Sequence, residues 1–374
     1  MNKRTFLSTV AALALFSGAM TVPAFATDPD AALKELATKV WSKGPNGEDP
    51  VAAATITLTE DEIAKVKGMN ATAALVFHYG GNDWSKAQEE GLKKGFDELG
   101  IKVIAVTDAG FKPEKQVADI ETVMAQKPSI IVSIPVDGVA TAGAYKAAGA
   151  AGTKLIFMDN IPANFKAGTD YVSVVSADNY GNGVAAAHLM AKALGSKGEI
   201  GLVFHAADFF VTRQRYDGFK KTIADNYPDI KIVDEQGIGG PDFAGDAEKA
   251  AGAILTAHPE TKAIWAVWDV PAEGVMAAAR AAGRADDLII INQDLGENVA
   301  IDMARGGMVK GLASQRPYDA GLIEAKLGAY ALLGKAAPAY VALPAAPVTK
   351  ETLLDAWKDI YHAEATDKIK SSMN

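Results

Sequence analysis

The sequence predicts an α/β protein of two doubly wound parallel-sheet lobes with a ligand-binding cleft between them. Three observations carry this. Near-continuous apolar strands alternate with amphipathic helices, the pattern of parallel sheets covered on both faces. The alternation restarts midway, and "LVFH" opens both halves, at 75–78 and at 202–205. Polar and aromatic residues collect just past the strand ends, where open α/β sheets bind ligands.

The elements follow in order. The opening "MNKRTFLSTVAALALFSGAMTVPAFA" places Lys3 and Arg4 before a short apolar run and ends in Ala24-Phe25-Ala26, the layout of a cleavable export signal over 1–26. Residues 27–70 form an extension expected to pack on the outside of the first lobe. Within it "LTEDEIAKVKG" reads as a helix with Thr59 as N-cap and Glu62 as its capping-box partner. "ATAALVFHY" is the first buried strand, and the helix after it aligns Leu92, Phe96 and Leu99 before Gly100 ends it. "IKVIAVTD" is the second strand, followed by a helix opening at Pro113. "SIIVSIPV" and "TKLIFMD" flank the small-residue helix "VATAGAYKAAGAAG", and "YVSVVSADN" precedes the helix "GVAAAHLMAKALG". The second half runs through strands "EIGLVFHA", "DIKIVDE", "KAIWAVWD", "LIIINQD" and "VKGLASQ", with helices beginning near Arg213, Gly245, Pro271 and Gly296. A helix over 318–333, the segment "YVALPAAPVTK" and the helix "ETLLDAWKDIYH" complete the chain.

Bulk properties narrow the function. The chain has no Cys, which excludes a disulfide framework, thiolate metal sites and a cysteine nucleophile. Its formal charge of −9 makes nucleic acid and anionic membrane surfaces poor partners. There is no G-x-S-x-G elbow and no P-loop; "GIGG" at 237 and "GNGVAA" at 181 lack the setting of a dinucleotide site. The five histidines, at 78, 188, 205, 258 and 362, are scattered without zinc spacing. No metal or cofactor is expected, and the chain is not read as an enzyme.

The residues past the strand ends suit a neutral polyhydroxylated ligand. Carboxylates and amides pair with hydroxyls, a guanidinium adds a fork of donors, and aromatic faces cover C–H patches. Asn82, Asp159, Arg213, Asp294 and Gln315 supply the first kind of contact, and Trp84, Phe243 and Trp268 the second. Trp265 faces the opposite side of its strand from Trp268 and is expected in the core. The alternative in another class is a secreted sugar-modifying enzyme using an acid pair such as Asp159 and Asp294 as a glycosidase dyad. A ligand-sensing regulator on the same fold is disfavoured, since no basic helix-turn-helix precedes the first lobe.

At "GGNDW", "FMDN", "VVSADNYGNG", "TRQRYDGFKK", "LTAHPETKAIWAVWD", "NQD" and "GLASQRPYDAG", in that order, the chain resembles the periplasmic sugar-binding proteins of the ribose-binding type, the soluble receptors of ABC importers. The resemblance runs from about residue 71 to 350. It implies a type I periplasmic binding fold whose lobes, 71–176 with 316–343 and 177–315 with 344–374, join through a three-strand hinge near Ser176, Gln315 and Leu343. It also implies ligand roles for Asn82 and Trp84, for Asp159, Arg213 and Phe243, and for Asp294 and Gln315. The chain departs from the ribose pattern at Ser85, where a second aromatic is usual, at Asn160, where Arg is usual, and at Trp268, where Asn is usual. Asn160 and Trp268 are therefore read as ligand-binding positions with altered specificity, and a different pentose, a hexose or a linear sugar alcohol fits as well as ribose. The implied setting is the periplasm. The implied partners are a sugar or polyol and a membrane permease, with a chemoreceptor as a further candidate, and the implied state is a monomer.

Overall fold

The computed structural model describes residues 27–36 and 39–373, so the expected export signal lies outside the described residues. The extension contributes α1 (Pro29–Leu36), β1 (Val51–Ala52) and α2 (Glu60–Lys67). The first half continues with β2 (Thr72–Phe77), α3 (Asp83–Glu98), β3 (Lys102–Asp108), α4 (Pro113–Met124), β4 (Ile130–Ser133), α5 (Ala142–Ala150), β5 (Lys154–Met158) and β6 (Ser173–Ala177). The second half holds α6 (Asn179–Leu194), β7 (Gly198–His205), α7 (Phe210–Asn226), β8 (Ile230–Ile238), α8 (Phe243–Ala257), β9 (Ala263–Ala266), α9 (Asp269–Ala281), β10 (Ile289–Gln293), α10 (Glu297–Ala304) and β11 (Val309–Ser314). Then come α11 (Pro317–Leu333), β12 (Tyr340–Leu343), β13 (Ala346–Val348), α12 (Leu353–Tyr361) and α13 (Asp367–Ser372).

Two sheets result. One has the order β1-β12-β6-β5-β4-β2-β3 and is parallel throughout. The other has the order β13-β11-β10-β9-β7-β8 and is parallel except for the β11–β13 pair. The central strands are buried on both faces, which accounts for their unbroken apolar runs. The chain passes between sheets three times: after β6, after β11, and between β12 and β13. These passages are the three hinge segments.

The halves are built alike. β2 and β7 carry the repeated "LVFH", and each has neighbours on both sides that follow it in sequence, so each sits at a topological switch point. By the same correspondence β5 of the first half matches β10 of the second. Each half has helices that cross closely at glycines. A Cβ on Gly91 of α3 would stand 2.1 Å from the Tyr318 carbonyl oxygen in α11, and one on Gly183 of α6 would stand 2.1 Å from that of Arg215 in α7. Only a residue without a side chain fits at either crossing.

The extension differs from expectation in one respect. α2 has the expected capping box between Thr59 and Glu62 and packs on α11 in the first lobe, and β1 joins the first sheet beside β12. However, α1 lies on α6 of the second lobe, where Leu36 is buried in that lobe's core. Between them the Trp41 and Ser42 amides each donate to the Asp178 carboxylate at 2.8 Å. Asp178 is the N-cap of α6, immediately after the first hinge passage. The extension therefore spans both lobes along the hinge, because its apolar anchor, Leu36, finds its partners beyond the first lobe.

Candidate functional site

The sheets face each other through the ends of their strands, and the cavity between them is lined by residues of both lobes. From the first lobe come His78, Tyr79, Asn82, Trp84, Phe111 and Asp159; from the second come His205, Phe209, Thr212, Arg215, Trp268 and Asp294; Gln315 lies at a hinge passage. Phe243 packs behind Trp268, with ring centroids 4.9 Å apart.

Polar groups at the floor form one hydrogen-bonded chain across the hinge. Asp159, in the left-handed region at φ 56°, accepts from the Ser176 hydroxyl at 2.6 Å. Asn179 Nδ2 donates to that hydroxyl at 3.0 Å, and Arg215 Nε donates to Asn179 Oδ1 at 2.8 Å. Arg215 also donates to Asp294 Oδ2 at 3.0 Å, and Gln315 Nε2 donates to Asp294 Oδ1 at 2.9 Å. Asp294 has φ 65°, so both carboxylates turn out of their strand ends through the same unusual backbone conformation.

The charges are unequally compensated. Burial pushes the Asp159 carboxyl up to about 6, although the Ser176 hydroxyl and the Arg215 charge act in the other direction. Burial pushes His78 down to about 3, with His205 across the cleft adding to the effect, and His205 to about 4, with Arg215 adding. Both imidazoles are neutral at pH 7, and their rings join the aromatic wall.

That wall closes the cleft. His78 stacks on Phe209 of the other lobe at 5.8 Å, and Trp268 meets His205 edge-on at 5.5 Å. Phe111, at φ 57° in the loop after β3, touches His78 and Tyr79 on its own side and His205, Phe209 and Phe243 on the other. At the rim the Glu297 amide, first in α10, donates to Asp83 Oδ2 of α3 at 2.8 Å. A first-lobe carboxylate thus serves a second-lobe helix whose own N-cap, Gly296, has no side chain to offer.

Of the residues expected at the site, Asn82, Trp84, Asp159, Trp268, Asp294 and Gln315 line the cavity and Phe243 backs it. Asn82 is also the N-cap of α3, its Oδ1 accepting from Ser85 N at 2.9 Å. Two expectations are corrected. Arg213 is exposed and lines a second depression, walled by residues of both lobes and sharing Phe209 with the cavity, and the guanidinium in the cavity itself belongs to Arg215. Asn160 is buried and borders that second depression rather than the cavity. The residues missed include Tyr79, Phe111, Ile134, Val211, Thr212 and Arg215. Helical spacing could have found Arg215, since the buried face of α7 runs through Val211, Thr212, Arg215, Gly218, Phe219 and Thr222 and excludes 213. Trp265 is fully buried and stacks on Phe219 at 5.0 Å, as expected of a core residue.

Comparison with known proteins agrees with this architecture. Residues 73–336 match the family model described as a periplasmic binding protein domain. The ribose import binding protein of Salmonella typhimurium is 26% identical over 245 residues, covering 64% of this chain and 77% of its own. The D-apiose import binding protein of Actinobacillus succinogenes is 29% identical over 251 residues, covering 67% and 78%. A periplasmic solute-binding protein of an ABC transporter from Actinobacillus succinogenes, solved with bound D-allose, superposes with a TM-score of 0.68 at 25% identity, covering 76% of this chain and 99% of that one. The chain belongs to the periplasmic binding protein domain family. Family membership lends no support to the secreted-enzyme alternative.

Proposed function

We propose that the protein captures one neutral sugar or sugar alcohol between its lobes in the periplasm and delivers it to the membrane permease of an ABC importer. The observation that carries the reading is the pair of equivalent carboxylates, Asp159 and Asp294, joined by one polar chain across the hinge and faced by rings from both lobes. The carboxylates and amides take the ligand's hydroxyls, and Trp84 and Trp268 cover its C–H faces. In the guanidinium role Arg215 replaces Arg213. The similarity to import binding proteins for ribose and D-apiose supports a small sugar as cargo.

The cavity holds ≈ 60 Å³ in this closed arrangement, room for a few water-sized groups. Entry therefore requires the lobes, 71–176 with 316–343 and 177–315 with 344–374, to part about the hinge. Ligand contacts made on both sides favour reclosure, because they exist only in the closed state. The protein acts as a monomer presenting different surfaces in its two states, to the permease and to any chemoreceptor. Export follows from the leader at 1–26.

The test is mass spectrometry of small molecules retained by the purified protein, followed by calorimetry with the compound found. The expected result is one unchanged sugar or alditol per chain. Recovery of a chemically altered sugar, or saturation by none of a panel of pentoses, hexoses and alditols, overturns the reading.

A further inference from the structure

Behind the cavity, where α3 crosses α11, lies a polar pair that the capture mechanism does not use. Gln88 and Glu324 are each 1% exposed, and Gln88 Nε2 donates to Glu324 Oε2 at 2.6 Å. The close crossing at Gly91 and Gly321 brings them together. The bond satisfies one polar atom on each side only. Gln88 Oε1, Glu324 Oε1 and the indole Nε1 of Trp84 are all buried without a partner.

These three residues line one recess of ≈ 10 Å³, about the space one oxygen needs. Its wall includes Trp84, Asp159 and Gln315, which also line the central cavity, so it adjoins the place where the ligand's rim is held. Trp84 and Gln88 are one helical turn apart on α3, as are Ala320 and Glu324 on α11, which aims both pairs at the same space. A pair serving only to pin two helices gains nothing from leaving a donor and two oxygens unmatched around a shared recess.

We propose that Gln88, Glu324 and the Trp84 indole form a hydroxyl-sized specificity recess that accepts one hydroxyl of the bound sugar or polyol. The hydroxyl oxygen accepts from Trp84 Nε1, and its proton is donated to Gln88 Oε1. Glu324 holds the Gln88 amide in orientation. Burial and the neighbouring Asp159 raise the Glu324 carboxyl well above its usual range. A site built around a hydroxyl rejects the analogue that lacks it, because its own buried groups are left unpaired.

The inference rests on the sugar-capture reading, and calorimetry on the mature chain separates the two. The probes are D-ribose, D-allose, D-tagatose, allitol and further pentoses, hexoses and alditols, with the monodeoxy and mono-O-methyl derivatives of each that binds. In the wild type, one deoxy position is expected to lose at least about 10-fold in affinity, and its O-methyl ether to lose more because the recess has no room for a methyl. Gln88→Leu should weaken the parent sugar by about the same factor yet change the critical deoxy derivative less than about twofold. Glu324→Gln keeps the shape and is the second variant should Gln88→Leu disturb the helix crossing. It should shift the same parent-to-deoxy ratio. Parent and deoxy affinities falling in parallel, or not at all, in both variants overturn the recess while leaving sugar capture intact. Failure of the wild type to bind any sugar or alditol overturns sugar capture and the recess with it.

Discussion

Asp159 and Asp294 occupy matching places in the two lobes, each just past the fourth strand of its half, each in the left-handed region, yet their surroundings differ. Asp294 is met by a guanidinium and an amide of its own protein. Asp159 is met by the Ser176 hydroxyl and the Ala177 backbone but by no guanidinium hydrogen bond, and burial drives its carboxyl up to about 6. A carboxylate already matched by Arg215 and Gln315 is preorganised and presents a fixed edge to the ligand. One left short of donors gains most when ligand hydroxyls arrive. On the proposed capture reading, the second lobe supplies a set frame, and the first lobe supplies the group whose satisfaction depends on cargo.

The sharpest way to break this asymmetry is Arg215→Met. The side chain is 4% exposed and bonds Asn179, the Val267 carbonyl and Asp294, so its loss leaves a buried carboxylate without its charge partner. Breaking such a pair costs about 3–5 kcal/mol. Urea denaturation of the ligand-free variant should show that loss, and ligand binding should disappear with it. Stability within about 1 kcal/mol of wild type would mean that Asp294 is not held by this guanidinium.

Asp159→Asn probes the other lobe and should behave oppositely. Removing a carboxyl that the fold already pushes toward neutrality should not destabilise the ligand-free protein at pH 7, and a gain of up to about 2 kcal/mol is expected. Binding should nonetheless fall by about 100-fold, since the amide accepts at one atom where the carboxylate accepted at two. Denaturation and calorimetry on the same preparation check both halves of the expectation. Joint loss of stability and binding would make the two carboxylates alike.

The matched histidines sharpen the comparison through pH. His78 and His205 fall from about 6.5 to about 3 and about 4 on folding, so below pH 6.5 the unfolded chain takes up protons that the folded one refuses. Stability therefore declines as pH drops from about 6.5 toward 4, by about 1.4 kcal/mol per pH unit for each imidazole. Asp159 works in the opposite sense. Raised to about 6, it protonates first in the folded state and adds stability as pH falls from about 6 to about 4. His78→Phe keeps the ring stack with Phe209 and should flatten the acid limb, whereas Asp159→Asn should steepen it. Both are read from denaturation midpoints between pH 7 and 4.

How much of this was legible in the sequence depends on which physical signal each feature leaves. Buried parallel strands leave unbroken apolar runs, and helix caps leave short polar signatures, so the two lobes and the Thr59 to Glu62 capping box could be read directly. Carboxylates past strand ends are equally visible, which is why Asp159 and Asp294 stood out. Phe111 was not visible, because its role comes from a left-handed turn that throws a loop ring across the cleft, and neither the loop's conformation nor the facing lobe is encoded within a few residues. The path of the extension escaped for a similar reason. Leu36 has no local signal that its partners belong to the second lobe, and Asp178 looks like an ordinary helix cap until the Trp41 and Ser42 amides reach it.

Arg213 is the instructive error and gives the smallest expected effect. Two residues along a helix turn the side chain by about 200°, so Arg213 and Arg215 point to nearly opposite sides of α7. The apolar and small residues at 211, 218, 219 and 222 fix which side faces the core, and 215 falls on it while 213 falls outside. Resemblance to the motif "TRQRYDGFKK" placed the charge on the right turn of the right helix without choosing its face. Arg213→Ala should therefore leave stability within about 0.5 kcal/mol of wild type, as for surface substitutions generally, and ligand affinity unchanged within about twofold. A loss of binding comparable to that of Arg215→Met would show that α7 rotates or unwinds in the liganded state. The assignment of the second lobe as a fixed frame would then fail.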